Sequence, residues 1–204
     1  MGISNLLYEK YKDLNLENKN LELLELGDQE IVYGEKKGRR FREEESLKFK
    51  EWKTLDLHSR EGVHIKDLSL LDKDFKKFDI ITNFGTSEHV EPELGHYNCW
   101  VNIHNWTRKE GYSIHEIPEA GSWKDHCRFY YTLDFFRNME KIGYEIKKLD
   151  LNHYSDQGNL IFCVLYKREE KDFISYEDFY KGIVIEETSS NIVAKENNPK
   201  GLIF

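Results

Sequence analysis

The sequence predicts an α/β domain built around a buried, mostly parallel sheet. Two observations carry that expectation. The first is a set of short apolar runs, Leu21–Gly27, Trp52–Leu57 and Asp79–Phe84, each closing at or beside glycine or an acidic residue. Continuous runs of this length suit strands covered on both faces. The second is what separates them: polar loops and stretches of helical spacing. Two further strands, 144–151 and 159–167, are joined only by the polar turn Ser155-Asp156-Gln157-Gly158.

Taken in order, residues 3–15 place Ile3, Leu6, Leu7, Tyr11 and Leu14 near i, i+3, i+4 spacing, a short amphipathic helix. The Asn-rich segment 15–20 turns into the first strand. Residues 34–51 are heavily charged, with a short helix expected near 41–50. They form either a solvated face or a lid whose Lys36, Lys37, Arg39 and Arg40 meet an anionic substrate. The second strand ends at Asp56, and Gly62–Leu68 follows as a third. Ten residues separate Asp56 from Asp67, fewer than the dozen or so a parallel crossover takes, so the helix there reduces to a turn.

The Asp79 strand breaks at Gly85 into Thr86-Ser87-Glu88-His89. Ligands of open α/β sheets bind beyond the carboxyl ends of the strands, so Glu88 and His89 stand where chemistry would be placed. The alternative is a plain strand, loop and helix cap. Residues 94–108 suggest a helix in which Trp100 and His104 share one face as packing residues. A strand at 112–117 stops at Pro118. The loop Glu119–Tyr131 is rich in aromatic and titratable groups, a binding-loop composition. Thr132 caps a helix with Phe135, Phe136 and Met139 on its apolar face, and Gly143 ends it. Phe173, Tyr176, Phe179 and Tyr180 suggest a docking helix, followed by a polar tail from Thr188 to Phe204.

These features divide the 204 residues into an N-terminal helix (1–20), a main domain (21–167) and a C-terminal extension (168–204). Thirty basic residues against thirty-eight acidic ones give 30 − 38 = −8, which argues against broad binding to nucleic acid or anionic membrane. No apolar run reaches the roughly 20 residues of a membrane span. No signal peptide is evident, and Leu6 stands where a myristoylation signal needs Ser or Thr. Cys99, Cys127 and Cys163 are odd in number and scattered, without a CxxC pair. A soluble cytoplasmic protein is expected.

The pattern of strand ends resembles class I S-adenosylmethionine (SAM) dependent methyltransferases. Asp79-Ile80-Ile81 leading to Glu88-His89-Val90 resembles their fourth-strand motif, and Glu25 with Gly27 resembles the start of their first-strand motif. Gln29 and Ile31 stand where that family has further glycines. Lys109-Glu110-Gly111 is similar to its turn before the fifth strand. The resemblance covers about residues 20–167 and implies a Rossmann-like, seven-stranded sheet, mostly parallel with a C-terminal antiparallel hairpin. It implies SAM as cofactor, held by Glu25, Gly27, Asp56 (ribose), Asp67 (adenine amino group), Asn83, Phe84 and Gly85. The acceptor expected is a small molecule or carbohydrate, contacted by Trp123, His115, Phe129 and Tyr130.

For an acceptor hydroxyl, His89 or His126 would serve as general base, with Glu88 orienting it. A subset of the family holds a divalent metal through Glu-x-x-Glu-His and a later histidine. Glu88, His89 and His126 match three of those ligands, but Gly85 stands in place of the first, so the expectation is no metal. Two other classes stay open: a degenerate methyltransferase fold serving as a binding or partner subunit, and a different nucleotide-binding α/β enzyme.

Overall fold

The computed structural model describes residues 2–154 and 157–186. Seven strands form one sheet in the order β3-β2-β1-β4-β5-β8-β7. They are β1 (Glu22–Leu26), β2 (Glu51–Asp56), β3 (Val63–Ile65), β4 (Phe78–Phe84), β5 (Thr107–Pro118), β7 (Tyr144–Tyr154) and β8 (Gly158–Lys167). β1 to β5 are parallel neighbours, and β8 runs antiparallel to both β5 and β7. This is the expected mostly parallel sheet with its closing antiparallel pair. Ser155 and Asp156 of that pair's turn, and the tail from Thr188, lie outside the described residues.

Period-2 alternation along each strand builds two cores. Leu23, Ile80, Phe84 and Ile114 face α1 (Asn5–Lys12) and α2 (Phe41–Glu45), meeting Leu7, Tyr8, Tyr11 and Phe41. Leu24, Leu26 and Ile81 face α3 (Glu93–Trp106) and α4 (Leu133–Asn138), meeting Trp100, Ile103, Trp106, Phe135 and Phe136. Ser4 caps α1 by accepting from the Leu7 N–H, and Thr132 caps α4 by accepting from Phe135. Gly143, at φ 92°, closes the turn after α4 in the left-handed region that favours glycine. Trp100 and His104 are buried, as packing residues should be.

The connections depart from a regular βαβ sheet. Only residues 57–62 link β2 to β3, and neither they nor residues 66–77 contain a helix. The shortened second crossover foreseen from the Asp56–Asp67 spacing is therefore present. The residues expected as a turn before the fifth strand, Lys109–Gly111, lie within β5 as an irregularity, with the register shifting between Phe78 and Ile80 on β4.

A second, small sheet was not foreseen. β6 (Phe129–Tyr131) pairs antiparallel with β9 (Ile183–Ile185) from the C-terminal segment. α5 (Tyr176–Phe179) precedes β9, and Phe179 packs against Trp100 and Phe135 in the α3/α4 core. Three-residue strands carry too little pattern to be read from sequence.

Candidate functional site

The carboxyl ends of β1, β2 and β4 open into a cleft of about 240 Å³. Its lining includes Gly27, Gln29, Asp56, Asp67, Gly85 and His89. Gly27 has φ 76°, and a Cβ built there would lie 2.4 Å from Thr86 Oγ1. The β1 and β4 loops can approach this closely only with glycine at that position. Thr86 Oγ1 donates to the Leu26 carbonyl at 2.8 Å and receives Gln29 Nε2 at 3.2 Å, so the two loops are latched together.

Several polar groups around this cleft are already held. Asp56 Oδ2 accepts from the Asp28 N–H and Oδ1 from the His58 N–H, both at 2.9 Å. Burial opposes ionisation of Asp56, but these N–H groups outweigh it and hold its pKa below the ordinary value. Each oxygen keeps a second lone pair for a ligand hydroxyl. Asp67 is exposed at the rim, with Oδ1 accepting from the Ser69 N–H. Glu25 is fully buried behind the β1 loop. It accepts from the Gln29 N–H, Trp52 Nε1 and Thr54 Oγ1, yet burial pushes its pKa up to about 8. Asp28, which the sequence did not single out, gathers Arg40, Arg42 and Arg60 around its buried carboxylate. That fixes the first turn after β1 to the charged 34–51 segment.

A second group stands beyond β4. Glu88, His89 and His126 each present a ligating atom within 4.8 Å of the others. The His89 and His126 rings are 5.0 Å apart, and Trp123 packs edge-on to His126 at 5.3 Å. Glu88 is fully buried, and among the described residues neither of its carboxyl oxygens has a hydrogen-bond partner. Burial pushes its pKa up to about 8. Burial and the neighbouring His126 lower that of His89, and burial lowers that of His126, so both imidazoles are neutral at pH 7. Trp123 Nε1 and His126 Nε2 are also buried without partners among the described residues. Their loop holds Trp123 at φ 52° and Asp125 at φ 61°, unusual for residues other than glycine.

Several expected site residues are placed elsewhere. His115 is fully buried: Asn83 Nδ2 approaches its Nδ1 at 3.2 Å, Ser113 Oγ lies 2.6 Å from its Nε2, and Trp100 stacks on its ring. It is a core histidine, because the period of β5 turns it under α3 rather than toward the rim. Phe129 and Tyr130 are likewise fully buried, since β6 pairs with β9 instead of forming a loop. The Asn83 side chain bonds to Ser87, and Phe84 packs in the α1/α2 core, so neither side chain lines the cleft. Glu88 does not orient His89 either, with 3.9 Å between Oε1 and Nε2.

Comparison with solved structures gives this architecture a place. N-methyltransferase NodS from Bradyrhizobium japonicum WM9 superposes with a TM-score of 0.59 over 79% of this chain and 96% of that one, at 11% identity. The fold is that of the SAM-dependent methyltransferases. A 1,6-didemethyltoxoflavin-N1-methyltransferase from Burkholderia thailandensis, with S-adenosylhomocysteine (SAH) bound, matches at TM-score 0.55 over 78% of this chain and 75% of its own, at 13% identity. The methyltransferase domain of bacterial CtHen1 matches at 0.52 over 79% and 95%, at 16% identity. No family model matches the sequence, and no curated protein matches it.

The Glu88 cluster stands just past the carboxyl end of β4, next to the cleft that His89 lines. One carboxyl and two neutral imidazoles are donors a divalent cation accepts, and Glu88's unpartnered oxygens fit such a group. Glu88, His89 and His126 would hold it. Its chemistry would be Lewis acidity toward an acceptor oxygen.

Proposed function

We propose that this protein is a SAM-dependent methyltransferase acting on a hydroxyl of a small molecule or sugar. The observation that carries the reading is the adjacency of two different sites on one rim. His89 belongs to both: it lines the cleft between Gly27, Asp56, Asp67 and Gly85, and it stands in the Glu88–His126 cluster. The cleft suits the adenosyl and methionyl parts of SAM, with Asp56 receiving the ribose hydroxyls, Asp67 near the adenine amino group and Glu25 behind the methionine end. The acceptor would lie on the far side of His89, against Trp123.

Transfer is an in-line displacement: the acceptor oxygen bonds to the methyl carbon as the carbon–sulfur bond breaks, leaving SAH. The protein's main contribution is positioning. His89, neutral at pH 7, takes the hydroxyl proton on a ring nitrogen. Its side chain is 43% exposed, so the proton passes on to solvent.

Calorimetric titration with SAM tests the reading. Saturable binding by the wild type, weakened in Asp56→Ala, is expected. No binding at all would move the protein to the second reading, a methyltransferase fold retained as a partner subunit. The Gln29–Thr86 latch favours that alternative, because a side chain there occupies space that glycine would leave open.

A further inference from the structure

We infer that Gln29 gates the methionyl end of the cleft: the site as folded admits a nucleoside, and the methionyl part of SAM enters only when the Gln29 side chain swings off Thr86. This rests on the methyl-transfer reading above and names the residue that controls its cofactor site.

The sheet order gives the cleft a direction. Its lining comes from the chain after β3 (Asp67), the end of β2 (Asp56), the loop after β1 (Gly27, Gln29) and the loop after β4 (Gly85, Thr86), and these strands are neighbours in that order. With the adenine amino group at Asp67 and the ribose at Asp56, SAM extends next to the β1 and β4 loops. Those are the two loops that Gln29 Nε2 and Thr86 Oγ1 join at 3.2 Å. Gly27, at φ 76°, has no side chain to fill the space over its backbone. The protein fills that space from elsewhere. A Cβ built on Gly27 would lie 2.4 Å from Thr86 Oγ1 and 2.7 Å from Gln29 Nε2. About 240 Å³ of cleft remains, below the range of about 300–1,000 Å³ usual for drug-sized ligands.

Only one side of this obstruction can move. Thr86 Oγ1 also donates to the Leu26 carbonyl, which ties it to the end of β1. The Gln29 backbone is fixed as well, its N–H donating to Glu25 Oε1 and its carbonyl accepting from the Phe41 N–H at 2.9 Å. The Gln29 side chain is different. Among the described residues it is held by the single bond to Thr86. A neutral hydrogen bond has modest net strength, and side-chain torsions offer staggered alternatives.

Titration calorimetry with SAM and adenosine tests the gate. Adenosine lacks the methionyl part and needs no movement of Gln29, so its binding also shows that each variant folds its site. Gln29→Ala is expected to tighten SAM at least tenfold and to leave adenosine within twofold. Gln29→Ser, almost as short, should do the same. Gln29→Leu keeps the bulk and loses the amide, so SAM should stay near its wild-type affinity. SAM affinity unchanged in Gln29→Ala and Gln29→Ser, or raised as much in Gln29→Leu, would overturn the gate. So would a wild type that binds SAM at least tenfold more tightly than adenosine, since the methionyl part would then already have room. Tight SAM binding that ignores Gln29 removes only the gate. Adenosine binding with no SAM binding, in the wild type and in Gln29→Ala alike, removes the methyltransferase reading itself.

Discussion

The two halves of the rim are finished to different degrees. On the β1/β2 side Asp56, Glu25 and Thr86 all have protein partners. Asp56 receives two backbone N–H groups, Glu25 receives three donors, and Thr86 bridges Leu26 and Gln29. On the β4/β5 side, Glu88, Trp123 and His126 keep buried atoms unmet among the described residues. The first half is assembled by folding alone. In the second, burial leaves some polar atoms without a partner among the described residues. Preorganised donors cost nothing to reorganise on binding, while unmet ones set what is admitted.

Changes on the two sides should therefore separate cofactor binding from turnover. The largest effect expected is His89→Ala, lowering kcat by about 10²–10⁴-fold with SAM affinity little changed. The same loss in His126→Ala, with His89→Ala near wild type, would move the base to the second loop. The wild-type rate should hold as pH falls below about 6.5, the free imidazole value, because the His89 pKa is lowered. A rate that halves near 6.5 would mean the ring is better solvated than its packing implies.

Next in size is Asp56→Ala, which should weaken SAM binding by about 1.5–3 kcal/mol, the range for hydrogen bonds to charged groups, and leave acceptor affinity unchanged. Unchanged SAM affinity would place the ribose elsewhere and dissolve the distinction between the halves.

Glu25 should show a smaller effect, in stability. Its folded pKa, about 8, lies above the value of an unfolded glutamate, so the fold binds the proton more tightly. The resulting stabilisation is full below about pH 4.3 and is lost as pH rises toward about 8. Chemical denaturation of Glu25→Gln should show a flatter pH dependence over that window. An unchanged slope would mean Glu25 is ionised in the fold. The smallest effect expected is that of EDTA on turnover, namely none. Loss restored by Mg²⁺ or Mn²⁺ would make Glu88, His89 and His126 metal ligands and show that an ion completes the open half.

The sheet was legible because its signal is local. Apolar runs such as Leu21–Leu26 and Asp79–Phe84 carry their own burial pattern, and a glycine or acid marks each strand end. Asp56, Asp67, Gly27 and Gly85 could be placed at one rim because strand order in a parallel sheet puts all carboxyl ends together. Even the missing helix after β2 followed from a count of residues. The pairing of β6 with β9 did not, since it joins residues more than fifty apart through three-residue strands. For the same reason Phe129 and Tyr130 read as loop residues when they are core.

His115 shows the limit most plainly. Its sequence position at a strand end allows either face, and only the β5 register decides that it stacks on Trp100. Composition cannot say whether an imidazole meets a ligand or an indole, because both need the same polar ring. The reverse holds for Glu88. Its place after β4 is written in the chain, but that both oxygens are buried and unmet is a property of what packs around it. Residue types and spacings determined the sheet and the residues available at its rim. Tertiary packing decided which of them are already satisfied and which still lack a partner, because satisfaction depends on neighbours that the chain brings together only by folding.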